Sequence, residues 1–232
     1  MTNIFKTISN STLEVFDSSN NIVSYAFVIS FSDKKEEDKI RPFLIINRAI
    51  LEKYESLYIL FDSENNGKNE KHRISFSKEI ISPFEIEQSN VVAFPLAQIL
   101  NQLSDKKIFI ELNGLPDFLI PNNETFNSLN EINEFTWFGF NEELRKKICY
   151  QQNNLTILDD AFELYFNNNE GKNFVGAPAF IINLGIYQTE KGVNLGNQIL
   201  LLGYFEETQG KFSKLSSVRD LAESIKKKYK FD

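Results

Sequence analysis

Cys149 and His72 are the single members of their types in this chain, and together they limit what its side chains can do. A nucleophilic thiol needs a neighbouring base or a positive field to exist as thiolate. Near Cys149 the sequence offers only Lys146 and Lys147, a weak version of that field, so Cys149 reads as a small structural side chain. The alternative these residues leave open is a hydrolase that pairs Cys149, or a nearby serine, with carboxylates such as Asp159, Asp160 or Glu163. His72 lies in Glu70-Lys71-His72-Arg73, a charged hairpin edge, and would have to move into a cleft to act as a base. One thiol and one imidazole do not form the cluster a metal ion wants, so no metal and no cofactor is expected. A lone cysteine also excludes an intramolecular disulfide.

The elements that would position such residues are short. At 232 residues with 42% hydrophobic composition, the chain can bury one large β core or two small ones. Lys plus Arg number 25 against 32 for Asp plus Glu, a net charge of -7. That charge repels a phosphate backbone and an anionic bilayer, so neither nucleic acid nor membrane is an expected partner. The opening Met1 to Thr7 has no apolar run of signal-sequence length, and no later segment reaches the roughly 20 apolar residues needed to span a bilayer. The expected location is cytoplasmic.

Runs rich in Ile, Phe, Tyr and Leu recur between Asn- and Lys-rich connections, which suits antiparallel β structure. Ala26 to Phe31 and Pro42 to Ile46 flank the charged stretch Asp33 to Lys39, a hairpin whose two strands face one core. Leu57 to Phe61 and Arg73 to Phe76 bracket a second turn at Asn65-Asn66-Gly67. Further strands are expected at Val91 to Phe94, Ile108 to Leu112, Phe135 to Phe138, Ala179 to Ile182 and Ile199 to Phe205, with long loops at Pro116 to Asn133 and Asn183 to Asn197. Trp137 falls in a run that reads as a buried strand. Val218, Leu221, Ala222, Ile225 and Tyr229 recur at helical spacing behind Ser216 or Ser217 as N-cap, with Lys226, Lys227 and Lys228 near the helix's negative end. The reading is all-β with a C-terminal amphipathic helix.

Three stretches, in order, resemble the trypsin-like peptidase domain family, in particular its bacterial cytoplasmic branch. Ile46-Asn47-Arg48-Ala49-Ile50-Leu51 is similar to Thr-Asn-Lys-His-Val-Ile, where His is the general base; here that place is Ala49. Asn90-Val91-Val92-Ala93-Phe94-Pro95-Leu96 is similar to Asp-Leu-Ala-Ala-Ile-Pro-Leu, where Asp orients the base. Asn90 keeps the shape and loses the charge. Asn173-Phe174-Val175-Gly176-Ala177-Pro178-Ala179-Phe180 is similar to Gly-x-Ser-Gly-Ser-Pro-Val-Phe, where the first Ser is the nucleophile and is here Val175. Asn173 stands where the family's oxyanion loop has Gly. Phe118 to Pro121, Phe138 to Phe140 and Leu195 to Gly203 also look like family sequence in matching order.

The resemblance implies two six-stranded antiparallel β-barrels, residues 1–115 and 116–213, with a helix over 214–232 packed on them. It implies a catalytically dead pseudopeptidase with no catalytic residue in the triad places Ala49, Asn90 and Val175. The stretch between Leu155 and Val175 is shorter than in active members and would form the wall of the specificity pocket, so that pocket is expected to be altered too. The function so implied is binding of an unidentified protein or peptide, as an accessory or regulator in bacterial stress or phage defence. A structural subunit of a larger assembly is the third class of reading.

Overall fold

The computed structural model describes residues 4–32, 39–65, 68–81, 86, 90–112, 114–127, 135–141, 146–152, 155–157, 161–165, 174–189, 192–209 and 212–230. Residues 33–38 of the turn expected at Asp33 to Lys39 and residues 66–67 of the turn expected at Asn65-Asn66-Gly67, together with Asp159, Asp160 and Asn173, lie outside the described residues. The chain divides into two compact units, Met1–Asp117 with Ser224–Asp232, and Phe118–Glu223.

The first unit begins with a helix, α1 (Ile4–Ser11), and then three strands, β1 (Thr12–Asp17), β2 (Ile22–Ser32) and β3 (Ile40–Asn47). A short helix α2 (Arg48–Lys53) leads to the hairpin β4 (Leu57–Asn65) and β5 (Lys68–Phe76). The turn α3 (Lys78–Ile81), strand β6 (Val91–Pro95), helix α4 (Ala97–Asp105) and two short strands, β7 (Ile108–Ile110) and β8 (Leu115–Pro116), complete it. Six strands form one ladder in the order β5-β4-β1-β2-β3-β6, while β7 pairs with β4 and β8 with β2. Only the two-residue β2–β8 pairing is parallel among these.

The long apolar run of β2 has a physical cause that the expected hairpin facing one core does not supply. Ala26 and Val28 sit opposite Ile46 and Leu44, and all four join the interior cluster with Val15, Ile59, Val92 and Phe94. Phe27, Ile29 and Phe31 point to the other face and are equally buried. There Phe31 meets Phe43 edge-on at 5.6 Å between ring centroids, and Phe43 meets Tyr229 at 4.8 Å. A strand covered on both faces carries no polar alternation. The layer over the second face includes the end of the C-terminal helix, whose Lys226 ammonium also reaches the Asp117 carboxylate at 3.0 Å. Burial of the Tyr229 ring pushes its hydroxyl pKa up.

The second unit opens with the short helix α5 (Asn123–Asn127), followed by β9 (Phe135–Asn141), β10 (Lys146–Gln152), β11 (Leu155–Ile157) and β12 (Ala161–Tyr165). A long hairpin, β13 (Pro178–Thr189) and β14 (Gly192–Gln209), precedes β15 (Phe212–Ser217), and the chain ends in helix α6 (Val218–Tyr229). The sheet order is β10-β9-β13-β14-β15-β12-β11, antiparallel at every described pairing. The loop expected at Asn183 to Asn197 is instead the arm of this hairpin, in continuous register from Ile182 against Ile199 to Thr189 against Gly192. Its Asn and Gly content suggests a loop, but the ladder satisfies the backbone whatever the side chains are. The all-β expectation with a C-terminal helix holds. The sheets have eight and seven strands where six each were expected: β7 and β8 attach beside a six-strand first ladder, and the second sheet has one strand more.

Helix α6 starts as its sequence predicts. Ser217 precedes it and its hydroxyl accepts from the Arg219 N–H at 3.2 Å. Val218, Leu221, Ala222 and Ile225 are buried. Helix residues through Glu223 group with the second unit and those after it with the first. No helix among the described residues is long and apolar enough to cross a membrane.

The β1–β2 turn yields a pH prediction. The Asp17 carboxylate accepts from the backbone N–H groups of Asn21 and Ser19 and from the Asn21 carboxamide. The Asn21 bonds, backbone first, hold its pKa below the ordinary 3.8. A carboxylate depressed on folding stabilises the fold above its unfolded pKa, and that contribution is lost as pH falls below 3.8 through the folded value. Asp17→Asn should therefore flatten the acid limb of thermal stability plotted against pH, leaving its shape near neutrality unchanged. An acid limb identical to wild type would show that these bonds do not differ between folded and unfolded chain.

Candidate functional site

Ala49 and Asn90 are brought together by strand pairing within the first unit. Strand β3 ends at Asn47, which pairs with Val91 at the start of β6. One residue further, the Arg48 N–H donates to the Asn90 carbonyl at 2.8 Å. Asn47 is only 2% exposed and acts as N-cap of α2, its side-chain oxygen accepting from the Ala49 N–H at 2.9 Å. Ala49 thus sits in the first turn of α2 and Asn90 on the adjoining bend, both exposed. The Arg48 guanidinium turns aside and donates to the Ile86 carbonyl at 3.0 Å.

Neither the Ala49 nor the Asn90 side chain can serve as a general base. A methyl group has no lone pair to take a proton, and a carboxamide does not titrate in water. His72 is on β5, opposite Phe61, and in the ladder three strands, β4, β1 and β2, separate its strand from β3.

Val175 belongs to the second unit and lies on a tight turn. The Ala177 N–H returns to the Phe174 carbonyl at 2.8 Å, and Gly176, at φ 85°, takes the left-handed third position of that turn. The turn is tied to β14 by the Gly176 N–H donating to the Phe205 carbonyl at 2.7 Å and the Phe205 N–H donating to Ala177 at 3.0 Å. Val175 is half-buried. The residue before it, Phe174, is fully buried against Trp137, Tyr150 and Phe205, with ring centroids 5.8, 4.9 and 5.7 Å away. Trp137 is therefore core, 2% exposed and stacked on Tyr150 at 5.6 Å. Gly139 makes room for this cluster, since a Cβ there would lie 2.5 Å from the Phe174 ring.

Cys149 is exposed on β10, its thiol 3.9 Å from the Tyr150 carbonyl. Among the described residues no group of three or more His, Cys, Asp or Glu is arranged to hold a metal ion. The sequence reading overlooked Asn47, the buried cap that fixes where α2 begins. An Asn directly before a helical apolar pattern is its signal.

No family model matches this chain. No curated protein sequence matches it. Among solved structures it is similar to a serine protease of a human pathogenic astrovirus, with a TM-score of 0.42, 7% sequence identity and 90% of each chain covered.

Proposed function

We propose that this protein is a non-catalytic relative of the trypsin-like peptidases that acts by binding another protein in a bacterial cytoplasm. The observation that carries the reading is the Arg48–Asn90 backbone pairing. It sets Ala49 and Asn90 at neighbouring strand ends, as the motif resemblance asks of a general base and the carboxylate that orients it. With a methyl and a neutral carboxamide in those places, a hydroxyl or thiol elsewhere has no partner there to remove its proton. The tight turn at Val175, pinned by Gly176, agrees with the third motif and presents an aliphatic side chain where a nucleophile would stand. The setting carried over from the resemblance is an accessory or regulatory part in stress or phage defence.

A fluorophosphonate probe and an iodoacetamide probe test the chemical half. Neither should label the folded protein faster than it labels the urea-unfolded chain. Accelerated labelling removed by one substitution, such as Cys149→Ala, would replace this reading with a rearranged hydrolase. The binding half is tested by tagging the protein in its native host, where one partner at near-stoichiometric yield is expected and recovery of none counts against it.

A further inference from the structure

The solvent face of β5-β4-β7 forms a groove of about 550 Å³ lined by both charged and apolar side chains. It is distinct from the Ala49–Asn90 corner and lies wholly within the first unit. Register decides which side chains share the face. Asp62 and Glu64 of β4 sit opposite Lys71 and Asn69 of β5, and Glu64 sits opposite Phe109 of β7. The Glu111 N–H donates to the Asp62 carbonyl at 2.7 Å, extending the same alignment. Directly opposed residues point to one face of a sheet. Between them Ser63 points inward, buried at 4% exposure.

Phe109 is 55% exposed, with Glu64 across the strand and Glu111 two residues on along its own. By register this face carries three carboxylates, of Asp62, Glu64 and Glu111, and one ammonium, of Lys71, which Asp62 already holds at 2.5 Å. An isolated exposed phenylalanine is unremarkable. An exposed ring flanked by carboxylates in a groove of ligand-pocket size, roughly 300–1,000 Å³, is matched to a cation with a flat apolar face. Among protein side chains that is the guanidinium of arginine, which stacks on an aromatic face and bonds carboxylates through its fork. This sheet already makes such a contact elsewhere, with the Arg73 guanidinium carbon 3.7 Å from the centroid of the Tyr58 ring. The net charge of -7 favours approach of such a segment.

We propose that this groove docks an extended, arginine-bearing segment of a partner protein, its guanidinium stacked on Phe109 between Glu64 and Glu111. The inference names a surface and a partner chemistry for the protein-binding reading, and it holds whether or not the chain is catalytic.

The test uses the full chain and three fluorescein-labelled peptides of alternating leucine with arginine, lysine or citrulline, read by anisotropy at physiological salt. The arginine peptide should bind saturably. The lysine peptide, of equal charge, should bind about tenfold more weakly, and the neutral citrulline peptide more weakly still. Phe109→Ala and the double substitution Glu64→Gln with Glu111→Gln should each weaken arginine binding by about tenfold, whereas Phe109→Tyr should retain it. All three positions are solvent-facing, so circular dichroism should match wild type. Hydrogen exchange should slow on 62–64, 69–71 and 109–111 when the peptide is bound. Equal binding of arginine and lysine peptides, unchanged by Phe109→Ala, would reduce the effect to diffuse attraction and overturn the proposal. So would loss of saturable binding, or a concentration-dependent dimer abolished by Phe109→Ala, which would make the occupant a second copy. Mass spectrometry of the recovered peptide separates the two readings, since cleavage defeats the non-catalytic reading and leaves the groove assignment standing.

Discussion

Phe174→Ala should destabilise the second unit by about 3–5 kcal/mol, the usual cost of emptying a fully buried aromatic site. The site cannot collapse easily. Phe174 is 1% exposed and touches Trp137, Tyr150 and Phe205, themselves held by three different strands, β9, β10 and β14. Trp137 and Phe205 also contact one another at 5.4 Å, so a void at the centre withdraws packing from every ring of the cluster at once. Chemical denaturation followed by Trp137 fluorescence reads the effect directly, because the chain's one tryptophan sits in the cluster. Gly139→Ala probes the same contact from the other side and should cost about 1–3 kcal/mol through overpacking. The φ of Gly139 is not in the left-handed region, so the cost comes from the Phe174 ring alone. In the Phe174→Ala background the Gly139→Ala penalty should largely disappear. A loss below about 1 kcal/mol for Phe174→Ala would mean the turn carrying Val175 is not anchored by this cluster.

Those contacts bear on how far the sequence could be read. The strands β2, β3, β6 and β9 were legible because each is a dense apolar run, and helix α6 because its buried positions recur at helical spacing behind Ser217. What the runs did not disclose was that β2 and β3 are covered on both faces, since the covering residues, Phe43's partner Tyr229 among them, come from the far end of the chain. Helix α4 escaped for a different reason: its N-cap position is Leu96, with no side-chain bond to the helix N–H groups and therefore no start signal to read. The β13–β14 arm escaped because its Asn and Gly content reads as a loop, while the strand pairing observed there is a backbone ladder that composition does not report. At the candidate site, the neighbourhood of Ala49 and Asn90 could be anticipated only from the order of motifs. The Asn47 cap had a sequence signal that was overlooked, whereas the Arg48–Asn90 pairing is a backbone bond that no side chain announces. The groove under Phe109 was not legible at all, since it depends on the register of three strands.

A fluorogenic peptide should be turned over no faster by this protein than by buffer, and Val175→Ser alone should leave that unchanged. The members of a nucleophile–base pair act as a unit, and loss of either costs roughly 10⁴–10⁶ in turnover, about as much as loss of all. Under the proposed non-catalytic reading, a hydroxyl supplied at the Val175 turn recovers little, because that reading gives the base and its orienting partner to Ala49, which has no imidazole, and Asn90, which has no negative charge. The turn should tolerate the change, because Val175 is only half-buried and the bonds that hold the turn run through Gly176, Ala177 and Phe205. A folded but silent Val175→Ser variant is thus the expected result, verified by denaturation alongside the assay. Turnover by the wild-type chain, abolished by Cys149→Ala, would move the chemistry to β10. Turnover gained by Val175→Ser alone would mean that a base outside the Ala49 place serves the turn, and would overturn the assignment of the three motif positions.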